Sequence, residues 1–146
     1  MLSCSTRAAF AALALSVSVF AAAPALADMA SYTATLAGAS EAPPTDSKGA
    51  GMVDATFDSA TRKLAWTITY SGLTGAATAA HFHGPAAATA TAPPVVPISG
   101  ALASPIKGEA VLTDAQAADV KAGKWYFNVH TAAHKDGEIR GQLMTK

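Results

Sequence analysis

Apolar and polar residues alternate along several short segments of the chain. In 50–58, for example, Val53, Ala55 and Phe57 lie on one face and polar residues separate them. A period of two places successive side chains on opposite faces of a β-strand, one of which is buried. The pattern predicts strands at 31–39, 50–58, 63–70, 77–83, 106–112, 124–130 and 138–144, with a hairpin turn at 59–61.

One segment lacks this period and has the signals of a short helix. Thr113 and Gln116 have the spacing of a capping box, and Gly123 stands where a helix C-terminal cap belongs. These residues predict a helix over 114–122. Residues 84–97 are rich in Ala, Thr and Pro and are predicted to form a long surface loop. Together the elements predict an all-β fold, an antiparallel Greek-key-like β-sandwich or barrel with one short helix.

The first 27 residues have the features of a secretory signal peptide. Arg7 precedes an apolar run at 8–23, and residues 25–27 have the small-x-small pattern of a cleavage site. The run is about 16 residues long and therefore shorter than the roughly 20 that span a bilayer. We predict cleavage after Ala27, a periplasmic or secreted location, no membrane attachment after cleavage, and a single domain at 28–146.

Charge and cysteine content narrow the functions of that domain. Without Arg7, nine basic residues stand against ten acidic ones, and no basic patch is evident. Nucleic-acid binding therefore has no electrostatic support. The single cysteine, Cys4, lies in the predicted leader, so the exported domain cannot form a disulfide. Any metal site must use histidine, carboxylate or methionine.

The histidines of the predicted strands form a pattern suited to a metal. His81 and His83 are two residues apart on one strand and so point to the same face. In the last hairpin the apolar residues are odd-numbered and the polar ones even-numbered. If His130 opposes Glu138, the odd residues face the core, and His130 and Arg140 share an outward polar face. A His-x-His on one strand with a third histidine on another predicts a metal site.

Other interpretations of these residues stay open at this point. The histidines could be solvated side chains on the surface of a sandwich. Glu138 and Arg140 could form a cross-strand ion pair of small value. His134 lies in the predicted turn at 131–137, where it is either solvated or an additional metal ligand. The sequence has no nucleophile elbow, phosphate-binding loop or paired-carboxylate pattern.

Four ordered blocks resemble the signature blocks of the CHRD domain. This domain is named for its occurrence in chordin and is widespread in bacterial exported proteins. The blocks are LAGASEAPP at 36–44, AHFHGPA at 80–86, AGKWYFNVHT at 122–131 and GEIRGQL at 137–143. The resemblance covers roughly 31–145 and implies a type of domain more than a particular reaction.

The order His81-x-His83, then Val129-His130, then Arg140 is also similar to copper-zinc superoxide dismutases. That resemblance implies that the three histidines bind one copper ion and that Arg140 guides the superoxide anion as a catalytic residue. The zinc cluster and the bridging histidine of those enzymes have no counterpart, and their disulfide cannot form. The implied site is therefore mononuclear, and three imidazoles would also accept zinc.

Two classes of function follow from these patterns. One is an exported metal-binding domain, with copper as the cofactor, zinc as the alternative, and superoxide dismutase-like activity. The other is a non-enzymatic binding or structural module whose 84–97 loop contacts a protein or glycan partner. A protein partner or a homo-oligomer is left open by the sequence. Metal stoichiometry separates the two classes.

Overall fold

The computed structural model describes residues 28–146, and the predicted signal peptide at 1–27 lies outside the described residues. The described part has nine strands, one α-helix and a 3-10 turn at Gly38–Ser40. The strands are β1 (Met29–Ala37), β2 (Ala50–Asp58), β3 (Lys63–Ser71), β4 (Ala77–His83), β5 (Pro94–Pro97), β6 (Ile106–Val111), β7 (Tyr126–Thr131), β8 (Ile139–Gln142) and β9 (Met144–Thr145). The helix α1 spans Asp114–Lys121. The predicted all-β class with one short helix is confirmed.

All the strands belong to one antiparallel sheet that is rolled into a nearly closed barrel. Its order is β5-β4-β7-β8-β1-β2-β3-β6, and β9 pairs with β1 beside this path. The two ends of the path, β5 and β6, follow each other in the chain, with residues 98–105 between them. Strand β7 lies between β4 and β8. These three strands together carry the predicted site.

The core forms because most of the large apolar residues of the alternating pattern point to the inside of the barrel. Phe82 of β4 is fully buried, with its ring centroid 5.1 Å from that of Trp66 and 4.8 Å from that of Phe127. Both pairs meet edge to face, an arrangement that aromatic rings favour. The odd-numbered apolar residues of the last strands are also buried, as predicted: Trp125, Phe127, Val129, Ile139 and Leu143.

The short helix begins and ends as its sequence predicts. The Thr113 side chain accepts a hydrogen bond from the Gln116 backbone N–H, and the Gln116 side chain accepts one from the Thr113 backbone N–H. This capping box satisfies two N–H groups at the helix start. Gly123, just beyond the helix, has a φ of 66°, which glycine adopts at little cost. Ala117 and Val120 connect the helix to the core.

Two of the predicted boundaries are wrong. The end of the predicted 84–97 loop is strand β5, which pairs with β4 at the edge of the sheet. The two prolines of β5 led to the prediction of a loop, because proline lacks an N–H and is tolerated in a sheet only at such edges. The predicted strand at 138–144 is two strands that separate at Leu143, whose N–H donates to the Trp125 carbonyl.

Gly141 of β8 has no room for a side chain, since a Cβ there would overlap the backbone oxygen of Thr35 and lie 3.1 Å from Leu36 Cδ2. We expect Gly141→Ala to lower the free energy of unfolding by about 2 kcal/mol, because β1 and β8 would have to separate. Urea denaturation measures this change. Gly75→Ala is the matched control, since a Cβ at Gly75 meets nothing within 4 Å. Equal midpoints for the two variants would contradict the close approach of the strands.

Candidate metal centre

Adjacent strands bring three of the four histidines together. His81 and His83 alternate with Phe82 on β4, so their side chains leave the barrel on its outer side while Phe82 enters the core. Strand β7 pairs with β4 so that His130 is opposite Ala79 and Asn128 is opposite His81. Candidate ligand atoms of His81, His83 and His130 all lie within 4.8 Å of one another. We call these three residues the histidine cluster.

Two nitrogens of the cluster have a separation that suits a shared metal ion. His81 Nδ1 lies 3.1 Å from His130 Nε2. Two nitrogens that are each ~2.0–2.1 Å from one ion at a tetrahedral angle are about 3.4 Å apart. The two imidazoles thus need to move by only a few tenths of an ångström to bind one ion. Without metal the same contact is a hydrogen bond.

The other ring nitrogens of two of these histidines are held by backbone carbonyls. His83 Nδ1 lies 2.8 Å from the Ala92 oxygen, and His130 Nδ1 lies 2.8 Å from the Lys135 oxygen. A carbonyl can only accept, so each Nδ1 carries the proton and each Nε2 presents a lone pair. His83 Nε2 is buried and makes no well-formed hydrogen bond within residues 28–146, and the nearby Asn128 side chain raises the pKa of this imidazole. Metal-binding histidines characteristically have this outer hydrogen bond, because it fixes both tautomer and ring orientation.

Burial favours the neutral form that binds metals. Desolvation lowers the pKa of His81 below its ordinary value, and the neighbouring His130 and His83 lower it further. Desolvation also lowers the pKa of His83, although the hydrogen bond to Ala92 partly opposes that change. Both imidazoles are therefore neutral at neutral pH and have no net proton to release. His81 donates Nδ1–H to His130 Nε2, so it has to move that proton to its own Nε2 before Nδ1 can bind the ion.

The polar face around the cluster is not open to solvent, contrary to the sequence prediction. The predicted register is correct, since Val129 pairs with Ile139 and the polar residues do leave the barrel on its outer side. However, Asn128, Glu138 and Arg140 are at most 3 % exposed. Residues 84–93, which we call the cover loop, lie over part of this face and accept hydrogen bonds from it. The outward face of these strands therefore carries a buried polar layer, separate from the apolar core.

The alternative of an ion pair between Glu138 and Arg140 is wrong. Glu138 accepts hydrogen bonds from Ser47, Thr74 and Thr131. No salt bridge joins Arg140 of β8 to Glu138, which immediately precedes that strand.

Arg140 is 1 % exposed and faces the cover loop. Its Nη2 donates to the carbonyls of Ala90 at 2.8 Å and Ala87 at 3.3 Å. Its Cζ lies 3.4 Å from the centre of the Tyr126 ring. The predicted guidance of an anion by Arg140 stays a prediction, and in this arrangement the guanidinium would have to act from beneath the loop.

His134 lies in the turn between β7 and β8 and is not one of the clustered histidines. Its backbone carbonyl closes the turn by accepting from the N–H groups of Thr131 and Gly137. An additional ligand at His134 stays a prediction.

Tyr126 is a residue of the site that sequence reasoning did not single out. Its ring stacks on the His83 imidazole with centroids 4.7 Å apart and planes 6° from parallel. Its hydroxyl lies 3.2 Å from both the N and the O of Ala92. The signal in the sequence was the parity of its position. Tyr126 is even-numbered, which places a large ring on the polar side of a strand whose odd-numbered residues form the core. Tyr126 thus contacts both a metal-ligand candidate and Arg140.

A cleft of about 920 Å³ opens beside the cover loop. Residues 39–44 form one wall, residues 88–91 form the other, and Arg140 and Gln142 also line it. Glu41 lies in the first wall, is 8 % exposed, and has a pKa that desolvation raises despite the nearby Arg140. The cleft therefore has mostly small apolar walls with a few charged groups among them.

The match to a known family covers most of the described chain. The CHRD domain model matches residues 32–143, which include the whole histidine cluster and Arg140. No curated protein and no solved structure matches the chain significantly. CHRD domains are typical of extracellular proteins, and within residues 28–146 no helix is long and apolar enough to cross a bilayer. The chain belongs to the CHRD domain family.

Proposed function

We propose that this CHRD domain is an exported metal-binding domain that holds one copper ion through His81, His83 and His130. The observation that carries the proposal is the outer hydrogen bonding of His83 and His130. Both donate Nδ1–H to a backbone carbonyl, which leaves each Nε2 unprotonated, with a lone pair that can bind a metal ion. Histidines that are merely solvated have no need of two such fixed orientations, because water satisfies either ring nitrogen.

The chemistry of the donor set favours copper. All three donors are neutral imidazoles, and for such ligands copper has the highest affinity of the first-row divalent ions. Zinc also accepts three imidazoles with a fourth open position, so it is the alternative that the experiment must separate. Carboxylates, which magnesium and calcium prefer, are not among the three donors.

Superoxide dismutase-like activity is the reaction that such a site would support. Bound copper would supply a one-electron couple between Cu(II) and Cu(I), by which two superoxide anions and two protons become dioxygen and hydrogen peroxide. The protein's part is to hold three neutral nitrogens around one point and to leave a position open for the anion. Three ligands, rather than four, provide that open position.

Metal content of the exported protein tests the proposal. The full-length chain is expressed in a bacterial host and purified tag-free from the periplasm, and its mass is compared with cleavage after Ala27. Samples are loaded with Cu(II) or Zn(II), desalted, and analysed for metal content and by electron paramagnetic resonance. We expect one equivalent of copper with three nitrogen ligands, retained in competition with an equal concentration of zinc, and dismutase activity that depends on it.

Two variants make this test specific. Replacing all three histidines of the cluster by alanine is expected to abolish copper retention. His134→Ala is the matched control and is expected to retain one equivalent, because His134 lies outside the cluster. Unchanged copper in the triple variant would reject this site, and loss of copper in the control would add His134 to the ligands and reject a site of three histidines alone. A wild-type protein that keeps no metal would favour a non-enzymatic module that acts through its loops.

A further inference from the structure

The cover loop has few contacts of its own that could fix its position. Residues 85–91 are one proline, four alanines and two threonines, and most of them are exposed. Their side chains offer little apolar surface to bury and no charge. On one side the loop borders the open cleft of about 920 Å³. Its conformation must therefore be fixed mainly through its backbone.

Side chains of β7 and β8 supply those backbone contacts. Arg140 Nη2 donates to the carbonyls of Ala87 and Ala90, which are the two ends of a tight turn closed by the hydrogen bond from Ala90 N–H to the Ala87 oxygen. Gln142 Nε2 donates to the Ala86 carbonyl at 3.0 Å. Hydrogen bonds from a charged guanidinium are about twice as strong as those from a neutral amide. Arg140 thus supplies a charge-assisted link between the loop and the barrel, in addition to the backbone hydrogen bond from Ala86 N–H to the Lys124 carbonyl at 2.8 Å.

The loop in turn fixes a ligand candidate of the histidine cluster. Ala92, two residues after the carbonyl that Arg140 binds, accepts the hydrogen bond from His83 Nδ1 at 2.8 Å. The orientation of His83 and the proton on its Nδ1 therefore depend on where the loop places the Ala92 oxygen.

Stacking on the Tyr126 ring provides a second connection between Arg140 and His83. The Arg140 guanidinium lies 3.4 Å from the centre of the Tyr126 ring, and the His83 imidazole stacks nearly parallel on that ring. Strand β4 supplies His83 and strand β8 supplies Arg140, from the two sides of β7. A cation against an aromatic face stabilises the ring position, and the ring position limits the rotation of the imidazole.

We propose that Arg140 is a positioning residue for the metal centre, which acts through the cover loop and Tyr126 to hold His83 with Nδ1 protonated and Nε2 ready to bind the ion. The proposal deepens the proposed function, on which it rests. The role proposed for Arg140 requires no contact with a substrate. It requires a buried guanidinium.

The test compares His83 with His130 in the same molecule. His130 takes its outer hydrogen bond from Lys135, which is not in the cover loop, so it serves as the internal reference. The tautomers of both imidazoles are determined by ¹⁵N NMR of the metal-free protein, and copper affinity is determined separately by competition with a chelator. The variants are Arg140→Lys, which keeps the charge but loses the planar two-carbonyl contact, and Tyr126→Phe, which keeps the ring but loses the hydroxyl. Arg62→Ala removes an exposed arginine and is the matched control.

In the wild type we expect the Nδ1–H form at both His83 and His130. Arg140→Lys is expected to give mixed tautomers at His83 alone and to weaken copper binding by about tenfold, the usual effect of losing an outer hydrogen-bond partner. Tyr126→Phe is expected to have a smaller effect in the same direction, and Arg62→Ala none. A lower melting temperature of Arg140→Lys with an unchanged His83 tautomer and unchanged copper affinity would overturn the proposal.

The two readouts separate this proposal from the function on which it rests. If the wild-type protein does not bind copper, the proposed function fails, and the His83 tautomer in the metal-free variants still reports whether Arg140 positions the ring. If copper binds and the tautomer does not respond, the metal site stands and the positioning role of Arg140 is rejected.

Discussion

Glu138→Gln is expected to lower the free energy of unfolding at neutral pH by roughly 3 kcal/mol. The Glu138 side chain is fully buried, and its Oε1 accepts from Ser47 Oγ and Thr74 N–H, both at 2.7 Å. Its Oε2 accepts from Thr74 Oγ1 at 2.8 Å and from Thr131 Oγ1 at 2.5 Å. Glutamine has one acceptor oxygen in place of two charged ones, so at least one buried donor loses its partner.

The pKa of Glu138 gives the size and the pH range of this effect. Burial alone would raise the pKa, but the hydrogen bonds from Thr131, Ser47 and Thr74 outweigh it and lower the pKa from 4.5 to about 2. Each pKa unit is about 1.4 kcal/mol, which gives the roughly 3 kcal/mol expected above. The folded pKa is depressed, so this stability is fully present above pH 4.5 and is lost as the pH falls towards about 2.

Urea denaturation of wild type and Glu138→Gln at several pH values between 7 and 2 measures both quantities. We expect the difference between the two proteins to be largest at neutral pH and to shrink below about pH 4.5. Glu109→Gln is the matched control, since Glu109 is exposed and paired only with Lys63, and such pairs contribute little. A constant difference from pH 7 to pH 2 would show that the charge of Glu138 is not the source of the stability.

Local periodicity predicted the parts of this structure that depend on single strands. The bounds of β2 and β4 agree with the alternating pattern, and the capping box of α1 is confirmed. The parity of the last hairpin placed Phe127 and Ile139 in the core and oriented His130 towards the side that also holds His81. The alternation of side chains along a strand is a property of the backbone, so it can be predicted without knowledge of the rest of the fold.

What could not be predicted depends on contacts between distant segments. The cover loop is held through its carbonyl oxygens, and a carbonyl leaves no trace in the sequence. For that reason the polar face was expected to be exposed, although Arg140 and Glu138 are buried there. The partners of Glu138 are hydroxyl residues of three separate segments, which no local pattern relates. Non-local coverage of this kind decides whether an outward polar residue is solvated or becomes part of a buried network.

The three ligand candidates are expected to contribute unequally to copper affinity. His83 and His130 are each held by a backbone carbonyl, whereas the hydrogen bond that His81 makes within residues 28–146 is the one to His130. A fixed imidazole loses little freedom when it binds the ion, while His81 must give up its contact with His130 and become ordered. We expect His83→Ala and His130→Ala to weaken Cu(II) binding by about a thousandfold, which is roughly 4 kcal/mol. His81→Ala is expected to weaken it by about a hundredfold.

Competition titrations with a chromophoric chelator measure these affinities, and circular dichroism confirms that each variant is folded. His134→Ala, with an unchanged affinity, controls for the general effect of removing a histidine from this end of the barrel. Equal losses for the three variants would mean that the outer hydrogen bonds contribute nothing to affinity. A larger loss of affinity for His81→Ala than for His83→Ala would invert this ranking. The histidine that no backbone carbonyl holds would then contribute more to copper affinity than one that is held.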